Sequence, residues 1–417
     1  MVKYLSKPFF VSTLICIFVF YSGIFKIPEK NRMHSLFNES QICAIHGKIV
    51  SSPAKNPQKN MYLCNFKTSR VKDKKGFSGS SEGIIKLCIP SDMAESYIPG
   101  RLFSHAKEKG NYLYETGAEC TFYGTFKKGI FYTEKCTFQS WNKTKISGKA
   151  AFLRAVSRLK FKRLMYTWGK AGGLLTALLS GSKEFTDASL SDNFKTAGLS
   201  HILALSGMHL SMFSAIAVFI GSRLKRRKVM FAIRISTLIF FVWFAGFSPS
   251  LLRAFICSMI SIAAAIAGSE EPDLILVLCF SFLFQCALRP SDIYNAGFIL
   301  SYAALGGILL CSDFFCRLYS KIIPYFLSRS LASSTSAQIF TLPVSLKIFG
   351  SFSPIGIVAT SVVSPFITVF IYSGLILILF SLIFPSAAGA SGFLLNKEYN
   401  IINFLVALFA KAPVWSI

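Results

Sequence analysis

Apolar segments long enough to cross a lipid bilayer dominate the chain after about residue 170. A helix needs about 20 consecutive apolar residues to span the hydrocarbon core. Runs near that length occur at 199–221, 229–247, 250–268, 273–289, 293–311, 333–349, 354–384 and 400–412. Charged residues make up 15% of the chain, whereas a soluble domain carries about 25%. The sequence therefore predicts a polytopic α-helical membrane protein with roughly eight to ten spans, including one at the N-terminus.

The N-terminal span follows two lysines. Residues 8–25 form one apolar run, and Lys3 and Lys7 precede it. A secretory signal peptide has the same layout but ends in a cleavage site flanked by small residues. No convincing site of that kind follows this run. We therefore predict an uncleaved membrane anchor over residues 1–25, with a cleaved signal peptide as the alternative.

Residues 26–147 differ in character from the rest of the chain, because they are polar and rich in lysine. Short β-like runs separated by Gly, Pro, Ser and Asn lie at 42–50, 60–69, 82–89, 119–126 and 130–138. This pattern is typical of short strands joined by turns. About five strands fit a small all-β barrel, and an OB-like fold is the most economical choice. A small β-sandwich is the alternative.

The positive charge of the chain is concentrated in its first part. Residues 26–163 contain 26 Lys and Arg against 10 Asp and Glu. A surface of that charge density suits nucleic acid, anionic lipid or a polyanion of the cell wall. The alternative is a surface that uses lysine only for solubility.

One hairpin of the β domain suggests a disulfide. Gly129 in the stretch 126–130 suits the positive φ that a three-residue loop requires. Pairing Phe126 with Ile130 then puts Cys120 opposite Cys136 on the two strands. Cross-strand Cβ atoms lie about 4.5–5.5 Å apart, close enough for a disulfide after modest adjustment. We expect this disulfide if the domain is exported, with two free thiols as the alternative.

Residues 148–168 are predicted to form a basic amphipathic helix. Apolar side chains line one side, while Arg154, Arg158 and Lys162 recur at intervals of four residues. Such a helix can lie in the membrane interface, where these three residues would contact lipid or DNA outside the protein. Its location on the membrane surface is favoured over the rim of a funnel leading into the helical domain.

Several polar residues fall inside the apolar segments, where they are costly unless they face a cavity or a conduit. The candidates for lining a polar path are His201, Ser206, Gly207, His209, Arg253, Asn295, Ser301, Tyr302 and Gln338. Helix breaks are expected at Gly207, Pro343 and Pro365. The alternatives are hydrogen bonds between helices for the histidines and a position near the membrane surface for Arg253.

The distribution of Lys and Arg in short loops predicts the orientation of the helices. The stretch 222–228 is strongly basic, and the connection 311–332 also carries several basic residues. Both are expected in the cytoplasm. With the N-terminus also in the cytoplasm, residues 26–147 then lie on the exported side of the membrane.

No motif typical of a hydrolase, a metalloprotease or a nucleotide-binding loop occurs in the sequence. The histidines lack the carboxylate or thiol neighbours of a metal site. The expectation is therefore a protein that is not an enzyme, with neither a metal nor a cofactor.

Four stretches of the membrane part resemble the ComEC family of competence proteins. They lie at 178–210, 247–259, 289–310 and 337–356, in the order and spacing of that family. The stretch 178–210 contains "GLSHILALSGMHL", and 247–259 reads "FSPSLLRAFICSM". The resemblance covers about residues 170–415, and the β domain resembles the OB-like N-terminal region of the family in position and strand number.

The resemblance implies that residues 169–417 form a channel for single-stranded DNA across the bacterial inner membrane during natural transformation. The expected partners are single-stranded DNA and membrane lipids, together with a separate DNA receptor, nuclease and cytoplasmic motor. Many members carry a metallo-β-lactamase-like domain at the C-terminus, and the chain is expected to be a short form without it. The alternatives are a transporter or flippase for an anionic envelope precursor, and a scaffold or relic without transport activity.

Overall fold

A computed structural model describes residues 7–22, 33–56, 60–94, 114–138, 141, 145–223, 226–268 and 272–416. Residues 23–25 of the predicted anchor and residues 224–225 of the predicted basic loop lie outside the described residues.

The described chain forms an N-terminal helix, a β domain and a large helical region. The strands are β1 (His34–Ser35), β2 (Ile42–Ile49), β3 (Ala54–Asn56), β4 (Met61–Asp73), β5 (Ser78–Pro90), β6 (Glu119–Lys127), β7 (Ile130–Phe138), β8 (Ser351–Phe352) and β9 (Trp415–Ser416). The helices are α1 (Pro8–Tyr21), α2 (Ser91–Ala94), α3 (Ile146–Thr167), α4 (Gly169–Ser180), α5 (Ala188–Thr196), α6 (Ser200–Leu203), α7 (Gly207–Arg223), α8 (Arg227–Ala245), α9 (Pro249–Ile266), α10 (Leu274–Leu288), α11 (Ala296–Tyr319), α12 (Tyr325–Phe349), α13 (Gly356–Ile383) and α14 (Ala388–Phe409).

The β domain is a closed barrel with the strand order of an OB-fold. Antiparallel pairs join β2 to β4 and β4 to β5, and β5 then pairs in parallel with β7. Strand β6 lies between β7 and β2 and closes the barrel. Each of the five predicted strands matches one of these strands to within a few residues. The prediction of a small OB-like domain is confirmed, and the sandwich alternative is wrong.

The interior of the barrel follows from the alternation of apolar and polar residues along its strands, because successive side chains point to opposite faces. In β4, for example, Tyr62, Cys64 and Phe66 are buried while the residues between them are not. The ring of Phe66 meets that of Phe122 edge-on, with 5.3 Å between centroids. Burying such aromatic side chains supplies much of the stability of a domain this small.

The predicted register of the β6–β7 hairpin is wrong. Lys127 pairs with Ile130, so the loop has two residues, and both of these, Lys128 and Gly129, have positive φ. An irregularity after Tyr123 shifts the register once more. Cys120 consequently lies opposite Phe138, while Cys136 lies opposite Phe122. Both cysteines are free thiols, so the structure does not contain the predicted disulfide.

Gly124 explains why the strand is irregular at this point. A Cβ atom added there would overlap with the carbonyl oxygen of Tyr132, so only glycine allows the two backbones to approach. The unpaired residue of such a bulge moves the rest of the strand by one position. The sequence signal was the glycine itself, which often marks a bulge inside a strand.

The helical region contains helices that can cross a membrane. By length and composition, α8, α9, α11 and α13 qualify, and α1 and α10 are shorter apolar helices. These helices coincide with predicted spans, so the prediction of a multi-pass helical membrane protein is confirmed. The two predicted breaks at proline are wrong, because Pro343 and Pro365 lie inside the continuous helices α12 and α13. Helices in lipid tolerate proline where neighbouring groups satisfy the freed carbonyls.

The centre of the helical region is a helix that the sequence pattern did not single out. All residues of α4 from Ala171 to Ser180 are buried, and its apolar side chains share one core with those of α13 and α14. The indole nitrogen of Trp168, just before α4, donates to the carbonyl oxygen of Ala388 at 2.9 Å. Hydropathy alone missed α4 because the helix is short and follows a basic segment.

The N-terminal helix α1 packs on the helical region and does not stand apart from it. The hydroxyl of Thr13 lies 3.4 Å from the carbonyl oxygen of Cys279 on α10. The hydroxyl of Tyr21 donates to the carbonyl oxygen of Ile293 at 2.8 Å. The predicted anchor is therefore part of the membrane bundle.

Candidate functional site

The chain interrupts its helical path between α6 and α7, as the sequence predicts. Residues 204–206 are not helical, and α7 begins at Gly207. The backbone N–H of Ser206 donates to Nδ1 of His209 at 3.3 Å, and the hydroxyl of Ser206 lies 3.3 Å from the same atom. Because Nδ1 accepts the backbone bond, the neutral imidazole carries its proton on Nε2. That Nε2 is buried and has no hydrogen-bond partner among the described residues, so a donor is left without an acceptor.

Arg253 of α9 lies directly against this helix start. Its side chain is 9% exposed, and its Nη1 donates to the carbonyl oxygen of Ser301 on α11 at 3.0 Å. A Cβ atom added at Gly207 would lie 2.9 Å from Nη2 of Arg253, so the guanidinium packs closely over the glycine. The buried Nε of Arg253 has no hydrogen-bond partner within the described part of the chain.

The electrostatics of this cluster, formed by Ser206, Gly207, His209, Arg253 and Ser301, favour an anion. The first turn of a helix carries partial positive charge and free N–H groups, which attract anions. Arg253 adds a full positive charge at the start of α7, and none of the ion pairs between described residues involves it. A buried cation without a counter-ion is unfavourable. The cluster can therefore offer a guanidinium, an imidazole N–H and a helix start to a negatively charged oxygen.

Two further predicted path residues, Tyr302 on α11 and Asn295 just before it, make hydrogen bonds within the helical region, and their place in a path stays a prediction. The hydroxyl of Tyr302 lies 2.9 Å from that of Ser281 and donates to Oε1 of Gln285 at 3.1 Å. The side chain of Asn295 accepts from the backbone of Gly297 at 2.8 Å and caps the start of α11. Ser301 belongs to the cluster around Arg253 only through its carbonyl oxygen.

The two remaining predicted residues lie in other places. Gln338 of α12 packs against the start of α13, since a Cβ atom at Gly356 would be 2.8 Å from its Nε2. His201 is exposed on the short helix α6. Among the described residues, neither side chain makes a hydrogen bond or ion pair with Arg253, and their place in a path stays a prediction.

The basic helix α3 does not present Arg158 and Lys162 to the outside, so this prediction is wrong for both residues. Arg158 is 2% and Lys162 5% exposed. Nε of Arg158 and Nζ of Lys162 each lie 3.2 Å from Oε1 of Glu115 in the β domain. Lys162 also donates to Oε1 of Glu184, between α4 and α5, at 2.7 Å. Arg154 is half-buried, and its Nη2 faces Gly246.

These four charged residues, Glu115, Arg158, Lys162 and Glu184, form a buried joint between the β domain and the helical region. Nη1 of Arg158 also donates to the carbonyl oxygen of Phe244 at 2.9 Å, at the end of α8. Basic groups are favourable at the C-terminal ends of helices, where the carbonyls are free. Helix α3 thus connects the β domain, the loop between α4 and α5, and the end of α8.

Ion pairing sets the protonation of this joint. Burial alone would raise the pKa of Glu115, but Lys162 and Arg158 outweigh it and lower the pKa to about 2. Burial alone would lower the pKa of Lys162, and Glu184 and Glu115 together raise it above its ordinary value. Both groups are therefore charged near neutral pH.

The sequence reasoning missed three residues that matter in the structure. Glu115 and Glu184 partner the basic helix from distant parts of the chain, so no local pattern could find them. Arg234 lies inside the apolar run of α8, and its Nε donates to the hydroxyl of Ser214 on α7 at 2.7 Å. A single charge in a predicted span was the signal that could have found it.

Comparison with known proteins places these features in a family. The model of a family described as "Competence protein" matches residues 178–417. The chain belongs to the competence protein family. It is also 25% identical over 250 residues to ComE operon protein 3 of Bacillus subtilis (strain 168). That match covers 59% of this chain and 31% of the relative, so the chain spans about a third of the relative's length. No solved structure matches the chain significantly.

The family match distinguishes the two polar assemblies. The cluster around Arg253 lies wholly inside the region matched to competence proteins, and so does Arg234. Of the joint, only Glu184 lies inside that region, while the β domain and α3 precede it. The cluster is therefore the feature to examine for the function of a competence-family membrane protein.

Proposed function

We propose that this protein conducts single-stranded DNA across the bacterial cytoplasmic membrane during DNA uptake. The observation that carries the proposal is Arg253, a buried arginine without a carboxylate partner among the described residues, packed over the start of α7. A DNA strand brings one negative charge per nucleotide into the membrane. A conduit must supply donors that hold each phosphate weakly enough for it to leave again.

The chemistry of the cluster supports this role. A guanidinium, an imidazole N–H and helix N–H groups all donate to phosphate oxygens, and contacts to phosphate carry no sequence information. Because such contacts are independent of sequence, they suit a strand of any sequence. The proposed role is conduction without catalysis, so we assign no reacting group to the chain.

The β domain would receive the strand before it reaches the membrane. Lys48 of β2 lies directly opposite Lys67 of β4 on the outer face, and the exposed Lys86 of β5 lies opposite Asn65, two residues from Lys67. Like charges opposite each other weaken a sheet. OB-folds bind strands on the face that includes these positions, so a polyanion would offset the repulsion. The same lysines would also hold anionic lipid.

Other components would complete the process. We propose a separate DNA receptor, a nuclease and a cytoplasmic motor as the further partners of the strand. Membrane lipids surround the helical region, and we make no proposal about its oligomeric state.

The proposed orientation places the N-terminus and residues 222–228 in the cytoplasm and the β domain outside. The excess of Lys and Arg near 222–228 favours the cytoplasmic side. We expect a reporter of cytoplasmic location to be active when fused after Lys228 and inactive when fused after Lys75. If both fusions gave the same result, this arrangement would be wrong.

The proposal is tested by labelled DNA in a strain that lacks its own copy of the gene. Complementation with the full chain should restore a labelled strand that resists nuclease added outside the cells. Equal amounts of protected label with and without the chain would refute conduction. Restored transport of a labelled anionic envelope precursor, without DNA uptake, would instead favour a flippase.

A further inference from the structure

A second polar feature lies further along α7, in a groove between α7, α8 and α9. The groove has a volume of about 580 Å³, which is in the range of sites for small ligands. Its lining includes Ser211, Ser214, Val218 and Phe219 of α7, Arg234 of α8 and Ser258 of α9. None of the residues in the predicted path lines this groove.

Arg234 is the unusual residue of the groove. It lies seven residues into α8, which is about 10 Å from the start of a helix otherwise apolar enough to span a membrane. The hydroxyl of Ser214 binds its Nε and fixes the guanidinium toward the groove. No other hydrogen bond or ion pair of Arg234 occurs among the described residues. An arginine at such a position is costly and indicates an anionic ligand.

The surroundings of Arg234 fit one unit of a nucleic acid strand. Hydroxyls of Ser211 and Ser258 are suited to phosphate and sugar oxygens. The ring of Phe219 is 63% exposed, and the guanidinium of Arg223 lies 5.0 Å from its centroid. An exposed aromatic ring next to a cation can stack a base of any kind. The groove thus combines a phosphate donor with a stacking surface.

We infer that this groove binds a phosphodiester group of the DNA strand in transit, with Arg234 on the phosphate and Phe219 against a base. The inference rests on the proposed function and adds a second binding site for the same strand. Arg253 contacts α7 at Gly207 and Arg234 contacts it at Ser214, about 10 Å further along the helix. The two arginines therefore follow one another along α7.

The depth of the groove favours a DNA strand over a lipid headgroup. Arg234 lies at least about 10 Å from either end of α8, which is long and apolar enough to span a membrane. Lipid headgroups lie at the membrane surface, and the hydrocarbon core is about 30 Å thick. A headgroup would have to leave the surface to reach Arg234, whereas a strand crossing the membrane passes this depth in any case.

Cross-linking of the full chain in phosphatidylcholine nanodiscs tests the inference. The Ser258→Cys variant is mixed with a 12-nucleotide oligothymidylate that carries a thiol-reactive group on one phosphorothioate. We expect a covalent adduct at position 258. Adding Arg234→Gln should reduce its yield about tenfold, as for the loss of a hydrogen bond to a charged group, and Arg234→Lys should keep most of it. Peptide mass spectrometry separates an adduct at the introduced cysteine from adducts at the 11 native cysteines. The matched control is Ser236→Cys, on an exposed position of α8, which should give no adduct at position 236.

The outcomes separate this inference from the proposed function. Equal adducts at positions 258 and 236, or adducts unaffected by Arg234→Gln, would overturn the inference. If the protein retained phosphatidylglycerol, lost it in Arg234→Gln and formed no DNA adduct, the groove would be a lipid site, which would also overturn the inference.

If Arg234→Gln cells imported DNA normally while the wild type formed no adduct, the inference about the groove would be wrong and the proposed function would stand. If the adduct formed as expected but wild-type cells imported no DNA, the proposed function would fail and the groove would stand.

Discussion

Replacing Glu115 by glutamine is expected to destabilise the attachment of the β domain by about 3–5 kcal/mol. The substitution keeps the shape of the side chain but removes the carboxylate that Arg158 and Lys162 share. Arg158 would then keep only backbone carbonyl partners, whereas Lys162 would keep its ion pair with Glu184. Thermal unfolding and limited proteolysis of the purified full chain measure the effect.

The matched control is Glu119→Gln in the same barrel. Glu119 is partly exposed and lies 3.5 Å from Nζ of Lys48 and 3.6 Å from Nε2 of His46. Surface pairs of this kind contribute about 0–1 kcal/mol. Equal shifts in the two variants would contradict the assignment of Glu115 to a buried joint.

The stability of the joint around Glu115 is expected to fall as the pH is lowered. The pKa of Glu115 falls from an ordinary value of 4.5 to about 2 in the folded protein. A carboxyl group with a lowered pKa stabilises the fold fully above the unfolded value and loses that contribution as the pH falls through the folded value. The joint should therefore persist at pH 5 and weaken between about pH 4.5 and 2, and the Gln variant should lack this component.

The strands of the β domain were predictable because their alternation is local. The register of β6 and β7 was not, since the bulge at Gly124 depends on the approach of Tyr132 from the partner strand. The two-residue loop and the bulge together move the partner of Cys120 by two positions, from Cys136 to Phe138. The predicted pairing of the two cysteines followed from the wrong register.

The amphipathic character of α3 was also predictable, but not the side on which its charges lie. Arg158 and Lys162 point inward because Glu115 and Glu184 meet them there. These carboxylates come from a different domain and a different loop, and a pattern within one helix contains no information about them. In the same way, the interrupted helix at Gly207 was visible in the sequence, while its contact with Arg253 required the packing of α7 on α9.

Replacing Arg253 by leucine is expected to abolish DNA uptake while the protein remains abundant. Leucine has no charge to leave unpaired, so the buried site can close around it without a stranded cation. Among the described residues, the substitution removes one hydrogen bond, the one to the carbonyl oxygen of Ser301. A strand in transit, however, would lose its charged donor at the start of α7, and we expect at least a tenfold fall in uptake.

The matched control for this variant is Arg227→Leu. Arg227 also donates to a backbone carbonyl, that of Ala265, at 2.7 Å, but its side chain is exposed. His209→Leu should have a smaller effect than Arg253→Leu, because a neutral imidazole supplies one N–H donor without a full charge.

The most direct measurement of the central claim is the amount of nuclease-protected labelled strand in cells that carry Arg253→Leu, Arg227→Leu or the wild-type chain at equal abundance. The account predicts uptake close to wild type for Arg227→Leu and no uptake above the deletion strain for Arg253→Leu. Normal uptake by Arg253→Leu would contradict it, since the cluster at Gly207 would then serve packing alone and the strand would cross elsewhere.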